Sequence, residues 1–162
     1  MIYLKLGDEY SEKGEYNTAI INYTQALQLS PYDAEIYYKR GLAHYKLGNY
    51  ERAIADYTQA ITINPNYIKA YNKSGLARYQ LGDYEGAIAD YTETLKININ
   101  DADAYYNRGN ARCCLGDKQG AIADFQKATS IYYTEGNLAK YKKVKESILD
   151  LEIEESLDIL KF

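Results

Sequence analysis

Few side chains in this 162-residue sequence have the type and spacing that catalysis or metal binding needs. The only histidine, His44, could act as a general base or a metal ligand, but it stands at a packing position of the repeat described below. Cys113 and Cys114 are adjacent, lack the C-x-x-C spacing of metal and redox sites, and have no second Cys or His cluster to join. No glycines form a phosphate-cradling loop. We therefore expect no enzyme, no metal site and no cofactor.

The composition argues against nucleic-acid-binding, membrane-spanning and secreted proteins. The chain has 19 Lys and Arg against 23 Asp and Glu, a net charge of −4, which argues against a nucleic-acid binder with a basic face. No apolar run approaches the ~20 residues needed to span a bilayer. The first ten residues contain acids where a secretory signal peptide needs an apolar stretch. Two adjacent cysteines cannot build a disulfide framework. We expect a cytoplasmic protein with neither nucleic acid nor membrane as partner.

A period of 34 residues organises the chain. Two series of glycines keep it (41 − 7 = 34 and 48 − 14 = 34), as do one series of alanines and one of aromatic residues four positions later. The series are Gly7, Gly41, Gly75 and Gly109; Gly14, Gly48, Gly82 and Gly116; Ala19, Ala53, Ala87 and Ala121; and Tyr23, Tyr57, Tyr91 and Phe125. A fixed period of this length is typical of a solenoid or a repeat array.

Each 34-residue unit has the pattern of two amphipathic helices. In the second unit, apolar and small residues recur every three to four positions from about residue 34 to 47 and again from about 50 to 63. Gly48 supplies the break between them, because glycine accepts the left-handed backbone that ends a helix. Pro65 disfavours helical geometry at Asn64 and so ends the second helix. We expect Gly41, Gly75 and Gly109 to lie where two helices approach closely.

These residues resemble the tetratricopeptide repeat. The residues of the first unit that match the family pattern are Tyr3, in the usual tryptophan place, Leu6, Gly7, Tyr10, Ala19, Tyr23, Ala26 and Pro31. The resemblance covers four repeats, at about residues 1–33, 34–67, 68–101 and 102–135. It implies an all-α, right-handed helical-repeat solenoid of four helix pairs that forms a single domain over residues 1–162.

The repeats depart from the family pattern at a few positions. Arg40, Ser74 and Arg108 replace the leucine, and His44, Arg78 and Arg112 replace the second tyrosine. Ile99 stands where the third repeat should have proline, so we expect the helix before it to end less sharply.

Residues 137–162 differ from the repeats. Residues 138–151 carry an apolar stripe at helical spacing and are predicted to form a capping helix that covers the last repeat. Residues 152–162 continue with Ile153, Leu157, Leu160 and Phe162 on an acidic background. They either extend the cap or occupy a binding groove, in the same chain or in a neighbouring copy. At the other end, Met1 already lies within the first predicted helix, which has no cap before it.

The resemblance places the binding surface on the first helix of each pair, which lines the concave face in this family. The predicted peptide-binding residues are Tyr38, Lys39, Leu42, Tyr45, Lys69, Asn72, Lys73, Leu76, Tyr79, Tyr106, Asn107 and Asn110. Tyr and Leu offer apolar contacts, Asn hydrogen-bonds an extended backbone, and Lys attracts acids. The alternative is a solvated face in which, for example, Lys39 pairs with Glu35 four residues earlier. Lys69 and Lys73 are like charges at that spacing, which costs helix stability and favours a ligand.

Family members that bind chaperones share a two-carboxylate clamp built from Lys and Asn in one repeat, Asn in the next and two basic residues in the third. The first-repeat places here hold Leu4 and Asp8, and the second-repeat place holds Lys39. Only Lys69 and Lys73 fit, so chaperone binding is not expected.

The predicted function is a non-catalytic scaffold that holds an acidic, partly apolar peptide of a partner protein in the concave groove. The alternative is a self-assembly module, which stacks through its uncapped first helix or exchanges its C-terminal tail as a homo-oligomer. A helical-repeat RNA reader is disfavoured by the acidic balance.

Overall fold

The protein is all-helical over the part that can be described. The computed structural model describes the backbone of residues 2–160 and the side chains of residues 2–157. Within that range there are nine helices and no strand: α1 (Ile2–Glu12), α2 (Tyr16–Leu29), α3 (Ala34–Lys46), α4 (Tyr50–Ile63), α5 (Ile68–Gln80), α6 (Tyr84–Ile97), α7 (Ala102–Cys114), α8 (Lys118–Thr134) and α9 (Leu138–Leu160). The predicted all-α solenoid of four helix pairs with a C-terminal helix is therefore confirmed. Met1, Phe162 and the side chain of Leu160, which entered the sequence predictions, lie outside the described residues.

Glycines close the turns within the helix pairs, as the sequence predicts. Gly48 follows α3 with φ of 75°, and the glycines 34 residues before and after it have φ of 78° and 77°. A side chain at such a φ is strained, whereas glycine is not. The Asn49 N–H donates to the His44 carbonyl at 3.0 Å and completes the closing turn of α3.

The expectation that α6 ends less sharply than its counterparts is wrong. The helices α4 and α6 both have 14 residues, at equivalent places in their repeats. The Asn98 N–H donates to the Thr94 carbonyl at 2.8 Å, and the Asn98 side-chain oxygen accepts from the Asn100 N–H at 3.2 Å. Asn64 makes the same side-chain bond, to the Asn66 N–H at 3.1 Å. An asparagine turn thus ends both helices, and proline is not required for the stop.

The chain divides into two compact units, one ending at Gly86 and the other beginning at Ala87. In the first unit, buried residues of α2 and α3 form one core cluster, and residues of α4 and α5 form another. Tyr23 and Tyr57, one in each cluster, are among the largest side chains that are fully buried. The single domain over residues 1–162 stays a prediction.

Small residues let the helices of a pair approach closely. A Cβ at Gly41 would lie 2.7 Å from Cε1 of Tyr57, and one at Gly109 would lie 2.5 Å from Cε1 of Phe125. Both distances are too short for real atoms, so only glycine allows these aromatic rings to pack against the first helix. This confirms the predicted close contacts at Gly41 and Gly109, and Gly75 is likewise buried.

In the second unit, α9 packs as a cap. Val144 is 1% exposed and contributes to a core cluster with residues of α7 and α8, while Ile148 and Leu151 pack against that cluster. Residues 152–157 continue the same helix. Gln119 at the start of α8 donates to Glu155 at 2.6 Å, and Lys118 Nζ lies 3.5 Å from a Glu154 carboxylate oxygen. A membrane-crossing helix is not found among residues 2–160.

Candidate functional site

The first helices of the pairs lie beside one another in the first unit, where α1 contacts α3 and α3 contacts α5. Nine of the twelve predicted binding residues belong to α3 and α5: Tyr38, Lys39, Leu42, Tyr45, Lys69, Asn72, Lys73, Leu76 and Tyr79. We call these nine residues the α3–α5 face. Lys69 is exposed and the other eight are half-buried. The face is therefore partly apolar and partly open to a ligand.

The tyrosines of this face are braced by other aromatic rings. The Tyr38 ring lies 5.2 Å from the Tyr67 ring and 5.9 Å from the Tyr57 ring, measured between centroids. Burial raises the pKa of Tyr38, and burial together with nearby carboxylates raises that of Tyr67 to about 12. Tyr45 contacts Tyr50 edge-on at 5.2 Å. These rings are held in place and remain neutral at physiological pH, so they provide a rigid apolar surface.

The ammonium group of Lys39 is already paired with carboxylates. Its Nζ donates to Asp8 Oδ2 at 2.7 Å and lies 3.4 Å from Glu35 Oε1. Burial alone would lower the pKa of Lys39, but the hydrogen bond and the two carboxylates outweigh it and raise that pKa. The pairing with Glu35 that the solvated-face interpretation anticipates is present. A stronger bond, to Asp8 in the preceding repeat, accompanies it.

Asp8 connects three helices and was not among the predicted site residues. Besides the bond from Lys39 on α3, Asp8 Oδ1 accepts from the Tyr23 hydroxyl of α2 at 2.9 Å. Burial, followed by this hydrogen bond, raises the pKa of Tyr23. Asp8 and Lys39 border an open depression of about 270 Å³ that Glu12 also lines. The signal in the sequence was the pair of opposite charges at first-helix positions of consecutive repeats.

Tyr57 occupies the same repeat position as Tyr23 but lacks its partner. The residue 34 positions after Asp8 is Leu42 (8 + 34 = 42), which cannot accept a hydrogen bond. Within the described part of the chain, the buried Tyr57 hydroxyl has no hydrogen-bond partner. Burial, with small contributions from Tyr38 and Tyr45, raises its pKa. The Tyr57 ring, which contacts the Tyr38 ring, is therefore an apolar surface whose hydroxyl has no hydrogen-bond partner among the described residues.

The free positive charge of the α3–α5 face lies on α5. Lys69 and Lys73 stand one helical turn apart, and no carboxylate among the described residues lies within 4.0 Å of either ammonium group. Two like charges at this spacing repel each other. Lys73 is three residues before the half-buried Leu76, and Lys69 is two residues after Tyr67, whose ring contacts the Tyr38 ring. The arrangement suits a carboxylate beside an apolar side chain.

The other three predicted residues, Tyr106, Asn107 and Asn110, are half-buried on α7 of the second unit. The Tyr106 ring lies 5.7 Å from the Phe125 ring, and the Lys143 ammonium of α9 lies 5.2 Å from its centre. The helix α9 thus supplies a cation over Tyr106, which the sequence did not indicate.

The histidine and the two cysteines lie on different helices, His44 on α3 and Cys113 and Cys114 on α7. His44 is 8% exposed, and its Nδ1 lacks a hydrogen-bond partner within residues 2–157, so the predicted packing position is observed without full hydrogen bonding. Burial lowers the pKa of His44. Cys113 is half-buried and Cys114 exposed, and burial raises the pKa of Cys113. Among the described residues, no group of three or more His, Cys, Asp and Glu could hold a metal ion.

Solved structures with the same architecture are found at low sequence identity. The crystal structure of the MamA protein aligns over 96% of this chain and 92% of its own, with TM-score 0.79 and 24% identity. The first TPR of Spaghetti (RPAP3), bound to the HSP90 peptide SRMEEVD, aligns over 71% of this chain and 91% of its own, with TM-score 0.68 and 29% identity. The Arabidopsis OM64 TPR domain aligns over 68% and 92%, with TM-score 0.65 and 28% identity. No curated protein sequence matches.

Family models match most of the repeat region directly. A model of the TPR repeat matches residues 7–48 and 75–116, and two tetratricopeptide-repeat models match residues 34–67 and 102–135. The matched segments keep the register in which the helix pairs recur every 34 residues. With more than half of its residues matched and its helices arranged in that register, the chain belongs to the tetratricopeptide-repeat family.

Proposed function

We propose that this protein is a non-catalytic interaction scaffold that binds a peptide segment of a partner protein on its α3–α5 face. The observation that carries the proposal is the positive charge of Lys69 and Lys73, which no carboxylate of the described residues pairs, on the same face as half-buried tyrosines and leucines. A ligand with an acidic residue next to an apolar one satisfies both features. The peptide-bound RPAP3 domain supports binding of peptides by this architecture.

The distribution of charge on the first unit indicates where the acidic residue of the peptide should bind. The α1 end of the first unit carries Asp8 and Glu12, and Asp8 already neutralises Lys39. The positive charge that remains is on α5. The acidic residue of the peptide is therefore expected at Lys69 and Lys73, with its apolar residue over Tyr38 and Leu42. The chaperone clamp is not proposed, because its first- and second-repeat places hold Leu4, Asp8 and the committed Lys39.

Contacts of the same ligand with Tyr106, Asn107 and Asn110 stay a prediction. A cytoplasmic location belongs to this proposal as well, since a chain whose only cysteines are the adjacent Cys113 and Cys114 cannot build a disulfide framework.

The test is an array of heptapeptides that vary in acidic and apolar content, probed with the full chain. Wild type is expected to bind acidic, partly apolar peptides, and its affinity for a selected peptide should fall as salt rises. Lys69→Glu with Lys73→Glu should lose binding while keeping its helical circular dichroism. The matched control is Lys96→Glu with Lys127→Glu, the same charge change on exposed residues of α6 and α8. Equal loss in both double variants, or in neither, would contradict the site.

A second candidate function is self-assembly through the first helix pair. Ile2, Ile21 and Leu29 of α1 and α2 are 67%, 62% and 68% exposed, so the first helix pair presents three open aliphatic side chains. The variant Ile21→Glu with Leu29→Glu would remove association by this surface, as light scattering would show.

A further inference from the structure

The helix α9 carries two apolar faces, and only one of them is covered. Val144, Ile148 and Leu151 pack towards α7 and α8. Leu138, Leu149, Ile153 and Leu157 remain 56%, 56%, 49% and 52% exposed. Leu149, Ile153 and Leu157 are spaced by four residues, and Leu138 lies three turns before Leu149 on the same face, with the exposed Lys142, Lys145 and Glu146 between them. We call Leu138, Leu149, Ile153 and Leu157 the outer stripe of α9. A one-sided surface helix has no need of a second apolar stripe.

Leu149 of the outer stripe borders an open groove between α8 and α9. The groove has a volume of about 740 Å³, and Thr129 and Ser130 of α8 form one wall. Tyr141, Ile148 and Leu149 of α9 form the other. The charged Lys145, Glu146 and Glu152 of α9 line the groove as well, so its surface is both apolar and charged.

Charges along α9 are segregated by sequence position. Its first part contains four lysines: Lys140, Lys142, Lys143 and Lys145. From residue 146 to 155 it contains no Lys or Arg, and its acids are Glu146, Asp150, Glu152, Glu154 and Glu155. Lys142, Lys145, Glu146 and Glu152 are exposed, and no ion-pair partner for any of them is found among the described residues. The helix is thus basic in one half and acidic in the other, with both charges available.

We propose that the outer stripe of α9 is a dimer interface that pairs with α9 of a second copy in antiparallel orientation. Leu149 lies at the midpoint of α9 ((138 + 160)/2 = 149), so a two-fold axis near it sets Leu149 against Leu149 of the second copy and brings Leu157 of one chain within one helical turn of the position opposite Leu138 of the other. The same axis places Lys142 and Lys145 of each copy beside the acidic half of its partner, and the complementary contact occurs twice. A parallel pair would instead set lysines against lysines.

The self-complementary charge pattern selects a second copy as the occupant. A two-fold contact uses the same patch on both chains and closes without forming filaments. A helix of 23 residues is about 34 Å long, so a single pair of helices gives an interface at the small, transient end of the usual range. We therefore expect a reversible dimer whose population rises with protein concentration.

The first measurement is sedimentation velocity of the full chain over a concentration series from about 1 to about 300 μM, which spans the affinities of small interfaces. The expected result is a concentration-dependent shift from one chain to two. A single chain at every concentration would overturn the proposal. Leu149→Glu should abolish the dimer and keep the helical circular dichroism, since Leu149 is 56% exposed and its loss leaves the core intact.

Charge reversal gives the sharper test. Lys142→Glu with Lys145→Glu makes the outer face acidic throughout, and Glu146→Lys with Glu152→Lys makes it largely basic. Each variant alone should be monomeric, and an equimolar mixture of the two should form a heterodimer. A dimer that persists in either variant, or a mixture that stays monomeric, rejects the antiparallel pairing.

A control separates this interface from association through the first helix pair. Ile21→Glu with Leu29→Glu should leave the α9 dimer unchanged. If that variant is monomeric while the α9 variants still dimerise, the interface lies on α1 and α2, and the inference is wrong. Peptide binding by the α3–α5 face is unaffected in either case, so failure of this proposal and failure of the proposed function are distinguishable.

Discussion

Arg40 and Asp56 form an ion pair joined by two parallel hydrogen bonds. Arg40 Nε donates to Asp56 Oδ2 at 2.9 Å and Nη2 donates to Oδ1 at 2.7 Å, while Nη1 reaches the Thr24 hydroxyl at 3.1 Å. Arg40 stands where the family has leucine, so a polar side chain that bonds Asp56 in its own repeat and Thr24 in the preceding one occupies an apolar position of the family pattern. Arg108 repeats the arrangement with Asp124 and Thr92, at the same three distances.

Replacing Arg40 with the family residue should destabilise the fold. Arg40→Leu leaves the 5% exposed carboxylate of Asp56 without its cation, and such a loss costs about 3–5 kcal/mol. Arg108→Leu should cost less, because Arg112 Nη1 also lies 2.9 Å from Asp124. Urea midpoints of the two variants provide the comparison. An equal loss in both would show that the second arginine does not stabilise Asp124.

The two buried tyrosine hydroxyls should respond in opposite ways to removal. Tyr23→Phe deletes a hydrogen bond to the Asp8 carboxylate and should cost about 1.5–3 kcal/mol. Tyr57→Phe deletes a hydroxyl that has no partner among the described residues, and should be neutral or stabilising. Each variant serves as the control for the other in chemical denaturation. A comparable destabilisation by Tyr57→Phe would mean that its hydroxyl is satisfied by water.

A side chain at Gly41 should disrupt the packing of α3 on α4. Gly41→Leu forces atoms into the fully buried ring of Tyr57, and overpacking of this kind costs about 1–3 kcal/mol. The gain from replacing a helical glycine, about 1 kcal/mol, opposes that cost. Lys46→Leu, on an exposed position of the same helix, is the control and should leave the melting temperature unchanged. A Gly41→Leu melt at or above the wild-type temperature would place the close contact elsewhere.

Stability should fall in acid through His44. Burial holds the pKa of His44 below its ordinary value of 6.5, so the unfolded chain binds a proton at a pH where the folded chain does not. The stability difference is therefore present above about pH 6.5 and lost as the pH falls through the folded-state pKa. The positive charges of Arg40 and Arg52 act in the same direction, and Asp56 opposes them.

The measurement compares urea midpoints of wild type and His44→Gln at about pH 7.5 and about pH 5. The carboxylates are common to both proteins, so the difference between the two isolates the histidine. Wild type should lose more stability than the variant. Parallel pH profiles would show that His44 is protonated as easily when folded as when unfolded.

Removing the charge of Asp8 should strengthen binding of an acidic peptide. Asp8→Asn removes the 2.7 Å ion pair of Lys39, which keeps only Glu35 at 3.4 Å, and so makes the α3–α5 face more positive by one charge. A partly exposed pair contributes up to about 1 kcal/mol, so the gain in affinity should not exceed about fivefold. Glu9→Gln makes the same change of charge on the same helix, where Glu9 pairs with the exposed Lys13, and should have no effect. Equal affinity for Asp8→Asn, measured by fluorescence anisotropy, would move the ligand away from Lys39.

The sequence by itself determined the repeat, the helix pairs and the turns. Periodic small residues, a glycine after each first helix and a proline or asparagine after each second helix act through local backbone preferences, and these need no knowledge of distant contacts. The bounds of α3 and α4 therefore agree with those predicted to within about one residue. The same local reasoning was wrong to expect that α6 ends less sharply because Ile99 stands in place of proline. The Asn98 side chain forms the turn that ends this helix.

Only the tertiary structure decided which charges remain available. Lys39 and Lys73 look alike in sequence, because they occupy the same position in the first helices of consecutive repeats (39 + 34 = 73). Lys39 is paired with a carboxylate and Lys73 is not paired with any described one. Asp8, 31 residues before Lys39, neutralises it, and no described carboxylate reaches Lys73. Likewise Tyr23 and Tyr57 share a repeat position, yet among the described residues Asp8 accepts a hydrogen bond from Tyr23 and no acceptor reaches the Tyr57 hydroxyl. Pairing of charges and hydroxyls depends on distances of a few ångströms between residues far apart in the chain, and only the packing of one repeat on the next fixes those distances.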